Sequence, residues 1–172
     1  MLPVRVEEAA RHGNLRQVVE WLQKGGHVDA LANAECLLHA AADNGRLHIA
    51  RELLTRGASL DLRGSKGATS LMLAACKGHH AMMLLLLEHK AGIDLQNASG
   101  FTTLMGAAAH GHTECVQELL EANASTELRD QQGLTALHRA ETRPITATAQ
   151  LLWQHTAKPP APAALSNHCC RT

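Results

Sequence analysis

Ala74-Ala75-Cys76-Lys77-Gly78 is the stretch from which the rest of the chain is read, because its pattern returns at a nearly fixed step. Ala9-Ala10-Arg11-His12-Gly13, Ala41-Ala42-Asp43-Asn44-Gly45 and Ala107-Ala108-Ala109-His110-Gly111 share it, and the four glycines are 32, 33 and 33 residues apart. A period in this range marks an array of supersecondary units, each of which buries its apolar face only against its neighbours. Such an array implies an extended binding surface more readily than a catalytic pocket. The regular positions then belong to folding, and function is sought in the positions that vary.

Working outward, Gly67-Ala68-Thr69-Ser70-Leu71-Met72, Gly100-Phe101-Thr102-Thr103-Leu104-Met105 and Gly133-Leu134-Thr135-Ala136-Leu137-His138 each open a helix. Gly permits the tight turn and Thr is a favoured N-cap. The Ala pair is then buried, and the next Gly closes the helix in the left-handed conformation. Second helices are predicted over 49–55, 82–89 and 115–122, with Leu53-Leu54, Leu86-Leu87 and Leu119-Leu120 facing the first helix. Connections this short make each pair antiparallel. The triplets Val28-Asp29-Ala30, Leu60-Asp61-Leu62 and Ile93-Asp94-Leu95, with Thr126-Glu127-Leu128 as a related form, predict a short hairpin whose acid faces out.

Composition agrees. Of 172 residues 45% are hydrophobic but only 2% aromatic, with one Phe and no Tyr, so the apolar content is Ala and Leu suited to closely packed helices. A chain of this length buries roughly 70% of the surface its unfolded form exposes. The formal net charge of +0 argues against an electrostatic nucleic-acid binder. Five scattered Cys suit a reducing compartment, and no signal peptide is visible. The longest apolar run, Ala81 to Leu87, falls far short of the ~20 residues that span a bilayer. The expectation is a monomer in the cytoplasm or nucleus, with no membrane contact.

The phrase Leu38-His39-Ala40-Ala41-Ala42-Asp43-Asn44-Gly45, followed by Arg51-Glu52-Leu53-Leu54-Thr55-Arg56-Gly57-Ala58, resembles the ankyrin-repeat signature, as does Thr135-Ala136-Leu137-His138-Arg139-Ala140. The resemblance runs over about residues 4 to 156 and implies an all-α solenoid: stacked antiparallel helix pairs with short β-hairpin loops projecting to one side. The array is expected over 1–156, with an N-terminal cap repeat at 1–30, units at 31–63, 64–96 and 97–129, and a C-terminal cap repeat at 130–156. A Pro/Ala-rich tail over 157–172 reads as disordered. The first unit lacks a hairpin and is expected to present a polar outer face. Lys90 and Asn123 replace the glycine that closes a second helix, so strain is expected at Lys90. Gly106 sits inside a helix at a cost of about 1 kcal/mol relative to Ala. In the last unit Pro144 takes the Gly position, and a helix over 145–155 carries Thr146, Thr148, Gln150 and Gln154 as an imperfect cap.

No catalytic residues, cofactor or metal ligands are expected. Gly64-Ser65-Lys66-Gly67 lacks the glycine spacing of a P-loop, and the carboxylates follow repeat phase rather than clustering. His39 and His138 share one repeat position, and His79 and His112 another; the family resemblance implies structural hydrogen bonds for all four. Zinc would need three or four convergent ligands, whereas neighbouring repeats set such residues in a line. Cys36 stands in a capping position, Cys115 on an apolar face and Cys76 on the inner side. Trp21 and Trp153 fall on the Leu-Leu phase and are expected to pack.

Two sets of variable residues remain. The residue just before each closing position reads His12, Asn44, Lys77, His110, Arg143, a row without an acid. It is either solvated helix surface, where C-termini favour cations anyway, or a cationic concave groove for an acidic or phosphorylated segment of a partner protein, anchored by Lys77 and Arg143. At the hairpin tips, which project into solvent in this family, stand Phe101 and Leu134. They either pack on each other or form the apolar centre of an interface flanked by Lys66, Gln132 and Arg129; the interface is preferred. The expected function is a non-enzymatic protein-binding module, a scaffold or adaptor. The alternatives are an inhibitory subunit that masks a partner's functional surface, or a self-associating piece of a longer array.

Overall fold

The computed structural model describes residues 2–142 and 147–156. Among them ten α-helices follow in pairs: α1 (Val4–His12) with α2 (Leu15–Gln23), α3 (Leu37–Asp43) with α4 (Leu47–Thr55), α5 (Ser70–Cys76) with α6 (His80–Glu88), α7 (Thr103–His110) with α8 (Thr113–Glu121), and α9 (Ala136–Glu141) with α10 (Ala147–Thr156). The first helices of successive units pack in one row and the second helices in another, and the first row is the tighter. The reason lies in side-chain size. Ala41, Ala74 and Ala107 are fully buried and let backbones approach closely, whereas the second row is filled by Leu53, Leu86, Leu119 and Leu152, also fully buried. Each such Leu contributes about 1.5–3 kcal/mol by leaving water. The first row therefore lies on the inside of the curve.

Local capping follows the residues. The Thr69 and Thr102 hydroxyls accept the backbone N–H of Met72 and Met105 at 3.4 and 3.2 Å. Cys36 caps α3 with His39, whose Nδ1 accepts the Cys36 N–H at 3.2 Å while Nε2–H donates to the Leu62 carbonyl at 3.0 Å. Lys90 and Asn123 adopt φ of 69° and 62°, the left-handed region that Gly25 and Gly57 occupy in earlier units. For Lys90 this costs roughly 1–2 kcal/mol. The second helices begin at residues 47, 80 and 113, two earlier than expected. In the loops, backbone bonds close the turns, among them Gly64 N–H to Ala68 O at 2.8 Å, Asn97 N–H to Phe101 O at 3.0 Å and Asp130 N–H to Leu134 O at 3.0 Å. Among the described residues the only bridge is Ala32 with Glu35.

The two ends differ. At the first unit Arg5 and Glu8 are exposed where the equivalent Leu37 and Ala40 are buried, so the outer face is polar; Val4, 61% exposed, is the exception. At the last unit two expectations fail. Thr148 does not contribute to a polar outer face: it is fully buried and its hydroxyl lies 2.7 Å from that of Thr113. Trp153 does not pack: it is 66% exposed. Its equivalent Leu120 is buried, and Leu54 and Leu87 at the same phase are half-buried. Trp21 is half-buried with its ring against Gly26, where a Cβ would lie 2.4 Å away. Pro144, Thr146 and the tail at 157–172 lie outside the described residues.

Gly106 is explained by close approach. A Cβ there would lie 2.6 Å from the Cys76 sulfur, so the missing methyl makes the notch in α7 that seats the α5 thiol. Cys76 is accordingly half-buried rather than on an open inner side, and burial pushes its thiol pKa up.

Candidate functional site

Most polar side chains along the array tie one unit to the next. Arg46 Nε donates to the Arg11 carbonyl at 2.8 Å, His79 Nε2–H to Asp43 at 3.1 Å and His112 Nε2–H to Cys76 at 3.0 Å. These three donors share one repeat position. His39 and His138 serve their own units as well, His138 Nδ1 lying 2.7 Å from the Thr135 hydroxyl. The acids of the loop triplets form a second series. Asp29, Asp61 and Asp94 accept the backbone N–H of Ser59, Gly92 and Ser125 at 2.9, 2.8 and 2.9 Å, and the Ser59 hydroxyl also donates to Asp29. Asp61 and Asp94 are exposed and Asp29 is half-buried, and all three stitch consecutive loops. A third series joins the hairpins: Arg63 Nη1 to Gln96 O at 2.7 Å, Gln96 Nε2 to Arg129 O at 2.8 Å and Gln131 Nε2 to Ala98 O at 2.7 Å. Such internal hydrogen bonds are each worth about 1 kcal/mol and fix the units relative to one another.

Subtracting these ties leaves the binding candidates. Asn44 drops out, since its amide donates to Ala40 O at 2.9 Å and the residue is half-buried. Lys77 is exposed, but Asp43 Oδ1 stands 3.8 Å from its ammonium, so an acid does approach this row. His110 is exposed; Nδ1–H donates to Gly106 O at 2.9 Å and its ring stacks on His112 at 6.0 Å. Lys66 is exposed at the hairpin tip of the 64–96 unit, in a left-handed turn with φ of 56°, and its ammonium has no partner among the described residues. Arg143 lies outside the described residues.

Phe101 and Leu134 do not project freely into solvent. Both are half-buried, and the Arg139 guanidinium lies 4.5 Å from the centre of the Phe101 ring. Arg139 is held in turn by Asp130 Oδ2, at 2.7 Å from Nε, and by Gln132 Oε1 at 2.9 Å. Asp130 Oδ1 also accepts the N–H of Gln132 and Leu134 at 2.8 and 3.1 Å. Burial alone would push the Asp130 pKa up, but the Arg139 guanidinium and these N–H groups outweigh it and hold it below the usual carboxylate range. Sequence reasoning missed this cluster. A signal existed in Asn97, one period before Asp130, whose Oδ1 accepts the N–H of Ser99 and Phe101 at 2.9 and 3.0 Å.

Charge is segregated across the array. Between 63 and 142, the hairpins and first helices carry Arg63, Lys66, Lys77, Arg129 and Arg139 against Asp130 and Glu141. The second helices and the loops that follow them carry Glu88, Asp94, Glu114, Glu118, Glu121 and Glu127 against Lys90. In the first two units Arg11 is consumed, because it meets Glu7 at 2.8 Å and Glu35 at 2.9 Å, while Arg5 on α1 is exposed without an ion-pair partner among the described residues. Among the described residues no three His, Cys, Asp or Glu converge as metal ligands, and no helix is long and apolar enough to cross a membrane.

Known proteins show the same architecture in sequence. The family model described as ankyrin repeats, in three copies, matches residues 6–97 and 82–162. An ankyrin repeat-containing protein of Treponema pallidum (strain Nichols) is 36% identical over 83 residues, which are 47% of this chain and 28% of that protein. Ankyrin repeats are generally protein–protein interaction modules without catalysis of their own. With its repeat period, its paired helices in two rows and a family match over most of its length, the chain belongs to the ankyrin-repeat family.

Proposed function

We propose that the chain is a non-enzymatic scaffold or adaptor that holds a partner protein against its first-helix ends and hairpin tips. The observation that carries this reading is the division of labour among polar groups. His, Asp, Arg and Gln side chains at repeat-phased positions lock the units together, and Lys66, Lys77 and His110 are left displayed on that rigid frame. A surface ordered before binding loses little entropy on association, so modest contacts suffice for affinity. Phe101 and Leu134 add half-exposed apolar area between the cations.

Affinity capture from lysate tests it, using the wild type beside Phe101→Ala/Leu134→Ala and Lys77→Glu/Arg143→Glu, each first shown by circular dichroism to be folded. The expected result is a protein captured by the wild type and lost in at least one variant. Equal capture by all three places the binding surface elsewhere.

A further inference from the structure

We infer that the segment this chain binds is an acidic stretch of another protein, rich in Asp and Glu, laid across the hairpins and first helices between residues 63 and 142. Lys66 is its anchor, with Arg63, Lys77 and Arg129 beside it. This rests on the protein-binding reading above and narrows it to one chemistry and one half of the array.

Local charge decides which half: before residue 63 the first helices and their hairpin carry Arg5 and Arg11 against Glu7, Glu8, Glu35 and Asp43. Arg11 is met by two carboxylates, Arg16 by Glu20 at 2.9 Å and Arg56 by Glu52 at 2.7 Å. Arg139 is held by buried Asp130. The Lys66 ammonium has no counter-charge among the described residues, and Lys77 has one only at 3.8 Å. Arg63 and Arg129 are exposed and donate to carbonyls, Arg63 to Gln96 O and Arg129 to Gly133 O at 2.8 Å. Those bonds fix each guanidinium in place without cancelling its charge. The result is a set of preorganised, unneutralised cations, the arrangement that favours carboxylate recognition.

The rest of the surface steers the same segment toward this face. The acids of the second helices repel it, so the potential slopes to the hairpin side and raises the encounter rate. Geometry sets the spacing of the ligand. Neighbouring units stack about 10 Å apart, and an extended chain advances about 3.3 Å per residue. One carboxylate at about every third residue therefore meets one unit, and about six residues separate the groups that face Lys66 and Arg129.

A peptide fits better than a nucleic acid. Single strands are held by exposed aromatic platforms, and the Phe101 ring on this face lies under the Arg139 guanidinium. Trp21 and Trp153 belong to second helices.

The test is fluorescence anisotropy with the full chain and labelled peptides of about nine residues, spanning three units at the spacing above. One carries Glu at every third position, one carries Gln there instead, and a thymidine oligonucleotide of equal length is the third probe. The Glu peptide is expected to bind about tenfold more tightly than the Gln peptide at low salt, and to weaken as ionic strength rises. Lys66→Glu/Lys77→Glu should lose about tenfold, whereas Arg16→Glu/Arg51→Glu, the same charge change placed on second helices, should stay within about twofold. Equal losses in the two variants, equal binding of the Glu and Gln peptides, or tighter binding of the oligonucleotide would overturn the inference. With Lys66→Glu/Lys77→Glu added to the capture experiment, a partner lost by Phe101→Ala/Leu134→Ala but kept by that variant would overturn it while leaving protein binding intact. A wild type that captures nothing counts against protein binding itself.

Discussion

Gly106→Ala is expected to reverse its sign with the residue at position 76. In an ordinary buried helix Ala is favoured over Gly by about 1 kcal/mol. Here the added Cβ would stand 2.6 Å from the Cys76 sulfur, about 1 Å inside normal contact. Overpacking of this kind costs about 1–3 kcal/mol, because α5 and α7 must part or the thiol must leave its rotamer. The sum lies between neutral and about 2 kcal/mol destabilising. With Cys76→Ala already in place the obstruction is gone, and the same substitution should stabilise by about 1 kcal/mol. The coupling between the two positions is therefore about 1–3 kcal/mol, well above the additive limit. Urea unfolding of the four proteins, followed by far-ultraviolet circular dichroism and by Trp fluorescence, reads it directly. Coincidence of the two signals is required, since repeat arrays can unfold in parts. A coupling below about 0.5 kcal/mol would refute the notch as the reason for glycine in α7.

Other perturbations follow from buried chemistry. Asp130→Ala leaves the Arg139 guanidinium, 17% exposed, without its carboxylate, and should cost about 3 kcal/mol in denaturant unfolding. Because the folded pKa of Asp130 is depressed, its contribution is present above the ordinary carboxylate range and is lost as pH falls through the folded value, a dependence Asp130→Asn should remove. His39 behaves as a buried neutral base whose pKa burial lowers, only partly offset by its bond to the Leu62 carbonyl. The unfolded chain then takes up the proton first, so stability should decline as pH drops below about 6.5; unfolding midpoints at a series of pH values, with His39→Gln as reference, check this. Burial pushes Cys115 up to about 11 and raises Cys36 and Cys76 as well. All three thiols should resist iodoacetamide in the native protein and react on unfolding, as read by peptide mass. Leu152→Ala should cost about 2–5 kcal/mol, while exposed Trp153→Ala should stay within about 0.5 kcal/mol in the same unfolding assay.

Much of the architecture was legible because it is local. The Ala-Ala-x-x-Gly period, the Thr caps and the positive φ at Lys90 and Asn123 each depend on a few adjacent residues, and repetition every 33 residues shows each signal several times. The shared positions of His39 with His138 and of His79 with His112 marked them as structural, and their carbonyl and hydroxyl partners have that character. The candidate surface was legible only as a list. Lys66, Lys77 and His110 are displayed, but Asn44 serves its own helix, and Phe101 lies under an arginine that the repeat pattern did not single out.

The order of residues alone thus settles that this chain builds stacked helix pairs and which side chains are shared between repeats. It leaves open which charges are spent and which surfaces are covered, because both depend on distance through space. Arg11 is neutralised by Glu35, 24 residues away, and Arg139 by Asp130 across a hairpin, while Lys66 meets no acid. Trp153 stands on the same phase as buried Leu120 and is nonetheless 66% exposed. Coulomb energy and burial are properties of the neighbours a residue acquires on folding, and a one-dimensional period carries no record of them.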